Sequence, residues 1–300
     1  MRRLAGPDGT WEMVTRLPHP GLRPGVRGYR GFRLAFERSR RRLEVPNASV
    51  TLVLGFGDPL RITGADPVGR PGQVVRPGTS YTSLLSGLHT RASVGEHDGR
   101  AHGIEVAMAP WTAFTLFRTP MDELADSMVD LTDLLGQPAY DLAAALAETP
   151  GWAARFTLLD AFLTARARTG PPVSHRLVWA WRQLVFGGPT GSTVAELAAT
   201  VGWSERHLER RFREQIGLSP KGAARVLRFR HAVRLLDARL PPSQIAAACG
   251  YYDQAHLNRE FKAMTGRSPS RFVTERTHGA RFAQLDREEG QVTSVVLAGH

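Results

Sequence analysis

The chain has 300 residues, a formal net charge of +11 at neutral pH and a single cysteine. This length favours two domains, and one cysteine excludes both an internal disulfide and a zinc site built from cysteines. No apolar run reaches the length of a membrane span, and the opening MRRLAGPDGTWEM lacks the apolar centre of a signal peptide. We therefore expect a cytoplasmic protein without a membrane partner.

The first part of the chain is predicted to be mostly β. Between about residues 30 and 117, short apolar runs such as SVTLVLGF, QVVRPG and GIEVAMAP alternate with glycine and proline, as is typical of short strands. In the first run, Val50, Leu52, Leu54 and Phe56 alternate with other residues and are predicted to share one buried face of a sheet.

This region shows no catalytic or metal-binding pattern. The spacing of its candidate ligands does not fit a clustered His-x-His pattern with a nearby glutamate, which favours loop or surface histidines over a metal site; the candidates are His89, Glu96, His97, His102 and Glu105. Neither a P-loop nor a G-x-S-x-G nucleophile elbow occurs. We expect no enzyme activity, no metal and no cofactor. The run RSRRR at 38–42 is predicted to be a solvated loop, with contact to DNA or an acidic partner as the alternative.

Helical patterns begin after the strands. Thr119 and Pro120 are expected to cap a helix that has an acidic first turn and ends at Gly136. A second helix is predicted over 152–168. The TGPP sequence at 169–172 is predicted to be a linker.

Residues 192–272 contain one pattern twice. The copies are AELAATVGWSERHLERRFREQIGLSP and SQIAAACGYYDQAHLNREFKAMTGRSP. Ala198 and Gly202 correspond to Ala246 and Gly250 at an offset of 48, but later positions correspond at 49, so one residue is inserted after the second turn, at Tyr252. A small residue four positions before a glycine suits two helices that pack closely around a sharp turn.

The second helix of each copy, here called the reading helix, has two different faces. Leu208 with Phe212, and Leu257 with Phe261, are predicted to be buried i,i+4 pairs. Cys249 corresponds to Val201 and is expected to fill a buried apolar slot. The opposite faces carry the candidate DNA-binding residues, which are Ser204, Arg206, His207, Glu209, Arg210, Arg213, Asp253, Gln254, His256, Asn258, Arg259 and Lys262.

These residue types suit the major groove of DNA. Arginine can form two hydrogen bonds with guanine, and glutamine or asparagine can do so with adenine. Ser204 and Asp253 are predicted N-caps, which would aim the helix N-termini at the groove or at phosphate. A repeated hairpin with exposed guanidinium groups favours DNA binding over a purely structural role.

A long helix is predicted to connect the two copies over 221–239, after Ser-Pro at 219–220. Its apolar residues are spaced by three and four, and they are Val226, Phe229, Val233, Leu236 and Leu240. If this helix holds the reading helices about 34 Å apart, both can enter successive major grooves. Ser-Pro at 268–269 is expected to cap a last short helix that ends near Arg276.

The charge distribution agrees with this prediction. Residues 173–278 carry nine more basic than acidic side chains, whereas the front half, residues 1–172, carries only three more. A basic excess of this kind attracts DNA phosphates and makes binding depend on salt.

The motifs GWSERHLERRF, GLSP, LRFRHAVRLL, IAAACGYYDQAHLNREFK and GRSPSRF resemble the DNA-binding domain of the AraC/XylS family of bacterial transcription regulators, over about residues 173–277. The resemblance implies base-facing positions for Arg206, Glu209, Arg210, Gln254, Asn258 and Arg259. Two positions depart from the family pattern. Glu209 is acidic and either accepts from cytosine or pairs with Arg213, and Tyr252 replaces a small or polar residue.

The resemblance also implies a sensor domain ahead of the DNA-binding domain, often a cupin-like β-barrel with helices used for pairing. We therefore expect an α+β chain with a mostly β, barrel or sandwich sensor at 1–118, a helical connecting or dimerisation region at 119–168 and a linker at 169–172. An all-α domain of two helix-turn-helix units joined by a long helix follows at 173–278, and then a tail at 279–300. The tail is expected either to add a late strand through QVTSVVLAG or to be disordered.

The expected function is sequence-specific regulation of transcription on double-stranded DNA in the bacterial nucleoid. A small-molecule effector, RNA polymerase and a second copy of the chain are the expected partners, and activation is the expected outcome. The alternative is an enzyme or DNA-repair protein that uses the hairpins only as a DNA tether.

Overall fold

The computed structural model describes residues 2–6, 9–64, 78–186, 192–278, 287–288, 291–292 and 294–297. Two β-sheets and four helices form the front half, and seven further helices follow within the described residues. The α+β prediction is therefore confirmed. Among the described residues, no helix is both long and apolar enough to span a membrane.

The strands of the two sheets pair only antiparallel within the described residues. These strands are β1 (Arg2–Gly6), β2 (Gly9–Arg16), β3 (Val26–Phe36), β4 (Arg40–Glu44), β5 (Val50–Gly55), β6 (Leu60–Gly64), β7 (Thr79–Tyr81), β8 (Ser83–Ser86), β9 (Ser93–His97), β10 (Arg100–Met108), β11 (Met128–Asp130) and β14 (Ser294–Leu297). In the first sheet the order is β1-β2-β3-β10-β5-β8-β11, and in the second it is β14-β4-β9-β6-β7. A separate hairpin consists of β12 (Arg287–Glu288) and β13 (Gln291–Val292).

The first sheet is buried on one face by helices. Val50, Leu52 and Leu54 of β5 are fully buried on this face, as the alternation predicts, and Phe56 lies just after the strand against the ring of His102. The run GIEVAMAP supplies most of β10, whereas QVVRPG lies almost entirely outside the described residues.

The helices of the front half are α1 (Pro110–Phe117), α2 (Leu131–Leu135), α3 (Gln137–Glu148) and α4 (Trp152–Thr169). The predicted helix over 152–168 is therefore confirmed. The ring of Tyr29 on β3 stacks on Phe156 of α4, with 5.8 Å between centroids, and its hydroxyl donates to Asp160 at 2.8 Å. Burial, together with this hydrogen bond, raises the pKa of Tyr29, so the phenol stays neutral and keeps α4 on the sheet.

The prediction of a single helix between Thr119 and Gly136 is wrong. Met121–Leu124 form one turn of 3-10 helix, Asp126 adopts a positive φ of 53°, and β11 then pairs with β8 before α2 begins. The proline and acidic residues that suggested a helix start do begin a helical turn. The helical turn then ends, because Met121 and Leu124 are buried and β11 pairs with a distant strand. Tertiary contacts here override the local preference for a helix.

The loop predicted for RSRRR at 38–42 is also wrong in part. Arg40, Arg41 and Arg42 lie in β4, where they pair with β9 on one side, and Arg41 and Arg42 pair with β14 on the other. The partner strands lie about 55 and 250 residues away in the chain, and a reading of local charge cannot detect such pairing.

The remaining helices are α5 (His175–Phe186), α6 (Val194–Thr200), α7 (Glu205–Ile216), α8 (Pro220–Asp237), α9 (Pro242–Ala248), α10 (Gln254–Thr265) and α11 (Pro269–His278). The pairs α6–α7 and α9–α10 are the two predicted hairpins, and α8 is the predicted connecting helix. Four of its five predicted apolar residues are buried and Leu240 is half-buried. The rings of Phe229, Phe261 and Phe272 form the core of the second hairpin, with centroids 5.1 and 5.3 Å apart.

The tail returns to the front half. Of the two alternatives for QVTSVVLAG, the structure has the strand: β14 pairs antiparallel with β4 at the edge of the second sheet. Val295 is buried, and Arg42 of β4 donates to the hydroxyl of Ser294 at 2.7 Å. A segment that follows the helical domain in sequence therefore belongs to a sheet of the front half.

The two reading helices contact the front half near their C-terminal ends. α7 packs against α1 and the 3-10 turn, and Gly217 at its end, with φ 97°, lies so close that a Cβ atom would be 2.7 Å from the carbonyl oxygen of Met121. Near the end of α10, the carbonyl of Met264 accepts from the backbone N–H of Ala92 at 2.7 Å. The N-terminal ends of both helices, at Ser204 and Asp253, are exposed.

Replacing Val295 by alanine should destabilise the protein by about 1 to 3 kcal/mol, because it removes buried methyl groups and leaves a cavity beside β4. Val296→Ala on the same strand is the control, since Val296 is only half-buried and should cost less. Urea denaturation measures both free energies of unfolding. Equal effects of the two substitutions would contradict the placement of β14.

Candidate nucleic-acid interface

The turns of the two hairpins have the same geometry. Gly202 and Gly250 have φ values of 68° and 70°, a conformation that glycine adopts at little cost. After each glycine, the next N–H bonds back into the first helix at 2.9 Å, from Trp203 to Ala198 and from Tyr251 to Ala246. The duplication seen in the sequence is therefore a duplication of structure.

Both reading helices begin at the predicted caps. The hydroxyl of Ser204 accepts from the N–H of His207 at 3.2 Å, and the carboxylate of Asp253 accepts from the N–H of His256 at 2.6 Å. Such caps satisfy one of the donors that a helix N-terminus leaves without a helical partner. Ser219 caps the connecting helix in the same way, as predicted.

The buried faces are those that the sequence predicts. Leu208, Phe212, Leu257 and Phe261 have no exposed surface. Cys249 is buried in the slot that corresponds to Val201, and burial raises the pKa of its thiol to about 11. The thiol is therefore neutral at physiological pH and packs as a small apolar group.

Ten of the twelve candidate DNA-binding side chains are exposed. In the first unit these are Ser204, Arg206, Glu209, Arg210 and Arg213, and in the second they are Asp253, Gln254, Asn258, Arg259 and Lys262. The other two, His207 and His256, are half-buried, and their rings lie edge-on to Trp203 at 4.7 Å and to Tyr251 at 5.3 Å. The histidines thus join each turn to its reading helix, and a DNA contact by either remains a prediction.

Glu209 makes the local contact that the sequence offered as one alternative. Its carboxylate lies 3.1 Å from the guanidinium of Arg213, one helical turn later. Both side chains are at least half exposed, so the pair adds little stability and can be broken easily. Contact between Arg213 and DNA remains a prediction.

Glu260 fixes the second reading helix and was missed at the sequence level. It lies on α10 and accepts from Arg225 at 2.9 Å and from Arg228 at 3.3 Å, both on α8. The guanidinium of Arg228 also lies over the ring of Tyr251, 5.2 Å from its centroid. The only sequence signal was an acidic residue on a basic helix, because its partners lie 35 and 32 residues earlier.

A second candidate site is a cavity of about 180 Å³ between the two sheets. Apolar side chains form much of its wall, including Phe32, Val53 and Ile62. Charged pairs lie among them: Arg30 of β3 donates to Glu105 of β10, and Arg42 lies 3.4 Å from Glu44 on β4. A cavity of this kind suits a small molecule that is largely apolar and has a polar group.

Three of the five residues considered as metal ligands are histidines on the cavity wall. Burial, and then the positive charge of Arg42, lower the pKa of His97 to about 4. Burial, and then the positive charges of Arg33 and Arg155, lower the pKa of His102 to about 4 as well. Burial also lowers the pKa of His89, whose ring lies 2.8 Å from the hydroxyl of Ser86. No cluster of three or more potential ligands able to hold a metal exists within the described part of the chain.

Residues 197–275 match the family described as a helix-turn-helix domain. Two curated relatives are similar over this part of the chain. One is the uncharacterized HTH-type transcriptional regulator YbfI of Bacillus subtilis, 34% identical over 65 residues, or 22% of this chain and 24% of the relative. The other is the HTH-type transcriptional regulator GlxA of Rhizobium meliloti, 39% identical over 74 residues, or 24% of this chain and 23% of the relative. The chain thus covers only about a quarter of the length of either.

Solved structures give weaker likenesses. ToxT from Vibrio cholerae aligns over 88% of this chain and 97% of its own, with 7% identity and a TM-score of 0.40. The DNA-binding domain of AdpA, solved in complex with a target DNA, aligns over 36% of this chain and 94% of its own, with 28% identity and a TM-score of 0.30.

Two equivalent hairpins, each with a capped, exposed and basic second helix, define a DNA-binding helix-turn-helix domain. Together with the motifs, the family match identifies this domain as one of the AraC type, as the sequence predicted.

Arg210→Ala and Arg259→Ala should each weaken binding to the cognate DNA by about 1 to 3 kcal/mol without unfolding the protein, because both side chains are exposed. Phe261→Ala is the contrasting variant and should lower the free energy of unfolding by about 3 to 5 kcal/mol. Fluorescence anisotropy and urea denaturation measure the two effects. Unfolding of either arginine variant would show that the two faces are assigned wrongly.

Proposed function

We propose that the protein is a transcription regulator that binds a specific DNA site through both reading helices and responds to a small molecule held between the sheets. The observation that carries this proposal is the pair of capped basic helices, each attached to the front half at its C-terminal end with its N-terminal end exposed. This arrangement leaves the groove-facing ends accessible, as a helix-turn-helix protein requires.

The proposed base-reading residues differ between the units. Arg206, Arg210 and Glu209 act in the first unit, and Gln254, Asn258 and Arg259 act in the second. Guanidinium groups favour guanine and amides favour adenine, so the two half-sites differ in sequence and the complete site is asymmetric. The basic residues Arg213 and Lys262 lie one turn further along and suit phosphate.

The loop over 87–92 supplies a route from the cavity to the DNA-binding domain. His89 and Arg91 line the cavity, and Ala92 bonds to the end of α10. The hydroxyl of Thr90 donates to Asp126 at 2.8 Å, next to the 3-10 turn that packs against α7. A ligand that changes the conformation of this loop would move both reading helices. It can shift the equilibrium between the two arrangements of these helices by no more than the difference between its binding free energies for them.

Within this proposal, residues 1–118 form the sensor, 119–168 connect it or form a dimer, 169–172 link the halves and 173–278 bind DNA. β14 adds a sensor strand from beyond the DNA-binding part. RNA polymerase is the proposed partner and activation the proposed outcome. The alternative, an enzyme or repair protein tethered to DNA, is less well supported because the matched relatives are named as transcriptional regulators.

Binding to the promoter region of the gene itself should be specific and should weaken steeply with salt, because lysine and arginine contacts release counterions from DNA. The measurement is an electrophoretic mobility shift at two salt concentrations, with a shuffled sequence of equal composition as the control. Equally weak binding to both sequences would exclude specific regulation.

Val53→Phe should block ligand binding by filling the cavity. A panel of aliphatic and aromatic carboxylic acids and amines is screened by thermal shift, since a ligand at a hundredfold excess over its Kd stabilises by about 2.7 kcal/mol. Each stabilising compound should lose its effect on the Val53→Phe protein. Leu17→Phe, which adds a ring at an exposed position, should leave the effect intact. Stabilisation that persists in Val53→Phe would place the ligand elsewhere.

A further inference from the structure

Tyr252 is the feature that distinguishes the two hairpins, and the DNA-reading residues proposed above do not include it. The residue is 93% exposed, more than any other large apolar residue in the described part of the chain. A single exposed aromatic residue is ordinary on a protein surface. The position of this one in the repeat, however, places it beside the N-terminus of α10.

The one inserted residue of the second turn is Tyr252. Up to Trp203 and Tyr251 the two turns make the same backbone hydrogen bonds. Beyond the insertion the ring contacts are again equivalent, since Trp203 packs on His207 and Tyr251 packs on His256. Four positions separate the first pair and five the second, so the extra residue is excluded from the packed turn and its side chain lies in solvent.

Although its side chain is exposed, the backbone of Tyr252 is fixed. Its N–H donates to the Nδ1 atom of His256 at 3.2 Å, and the next residue, Asp253, caps the helix. Gln254 and Asn258, the proposed base-reading amides, follow on the same helix and are exposed. The ring therefore projects from a rigid turn, so ordering it on a ligand costs little entropy.

We propose that Tyr252 contacts the DNA backbone beside the second half-site, with its ring against a deoxyribose and its hydroxyl donating to a phosphate oxygen. Tyrosine is among the side chains that contact phosphate and sugar in protein–DNA complexes, and its ring gains by leaving water. The first unit has no equivalent residue, so this contact strengthens the second half-site alone. The proposal rests on the DNA interface proposed above.

The test compares Tyr252→Ala, Tyr252→Phe and Tyr140→Ala in the full chain, with fluorescence anisotropy on the cognate site and on a site with mismatches in the second half. Tyr140 is an exposed tyrosine on α3 and serves as the matched control. We expect Tyr252→Ala to bind about tenfold more weakly and Tyr252→Phe about threefold more weakly, whereas Tyr140→Ala binds as the wild type does. All three variants should keep the melting temperature of the wild type, because both side chains are exposed.

A backbone contact carries no sequence information, so Tyr252→Ala should lose the same factor on the mismatched site. Replacing single phosphates by methylphosphonate should reveal one position that weakens the wild type but not Tyr252→Ala. Wild-type affinity of Tyr252→Ala, or a loss confined to the cognate sequence, would overturn the proposal. If Arg259→Ala also binds like the wild type, the DNA interface itself is assigned wrongly. If only Arg259→Ala loses DNA affinity, the interface is assigned correctly but Tyr252 is not part of it.

Discussion

Both reading helices are held at their C-terminal ends, and much of the protein's organisation follows from this constraint. Gly217 brings the end of α7 against Met121, and Met264 near the end of α10 bonds to Ala92. The opposite ends, where unpaired N–H groups and the positive end of the helix dipole attract phosphate, remain exposed. In the proposed function, these contacts are also the route by which the front half would act on the two reading helices.

The two helix-turn-helix units share a scaffold but not a surface. Their glycine turns, caps, buried leucines and phenylalanines and turn-to-histidine contacts are equivalent. Outside this scaffold, the first unit has arginines and an internal Glu209–Arg213 pair, and the second has amides, an added tyrosine and a helix fixed to α8 by Glu260. Duplication thus kept what packing requires, while the exposed positions diverged.

The DNA-binding domain was predictable because its information is local. Helix spacing, caps and glycine turns lie within a few residues of one another, and the repeat supplies an internal check. The front half was less predictable because its sheets join distant segments. β4 carries three consecutive arginines but lies between β9 and β14, and the expected helix after Pro120 is interrupted so that β11 can pair with β8. The cavity wall likewise draws on strands from both sheets, which no local pattern brings together.

The return of β14 to the second sheet makes the front half discontinuous in sequence. In the sequence, the DNA-binding part therefore lies between two segments that belong to the same sheet. During synthesis the second sheet therefore lacks its last edge strand until the reading helices have been made, and β4 is open to mispairing in the meantime. After a single protease cut between α4 and α5, the pairing of β14 with β4 would still join the two parts. A front half expressed by itself lacks β14 unless this strand is added to it.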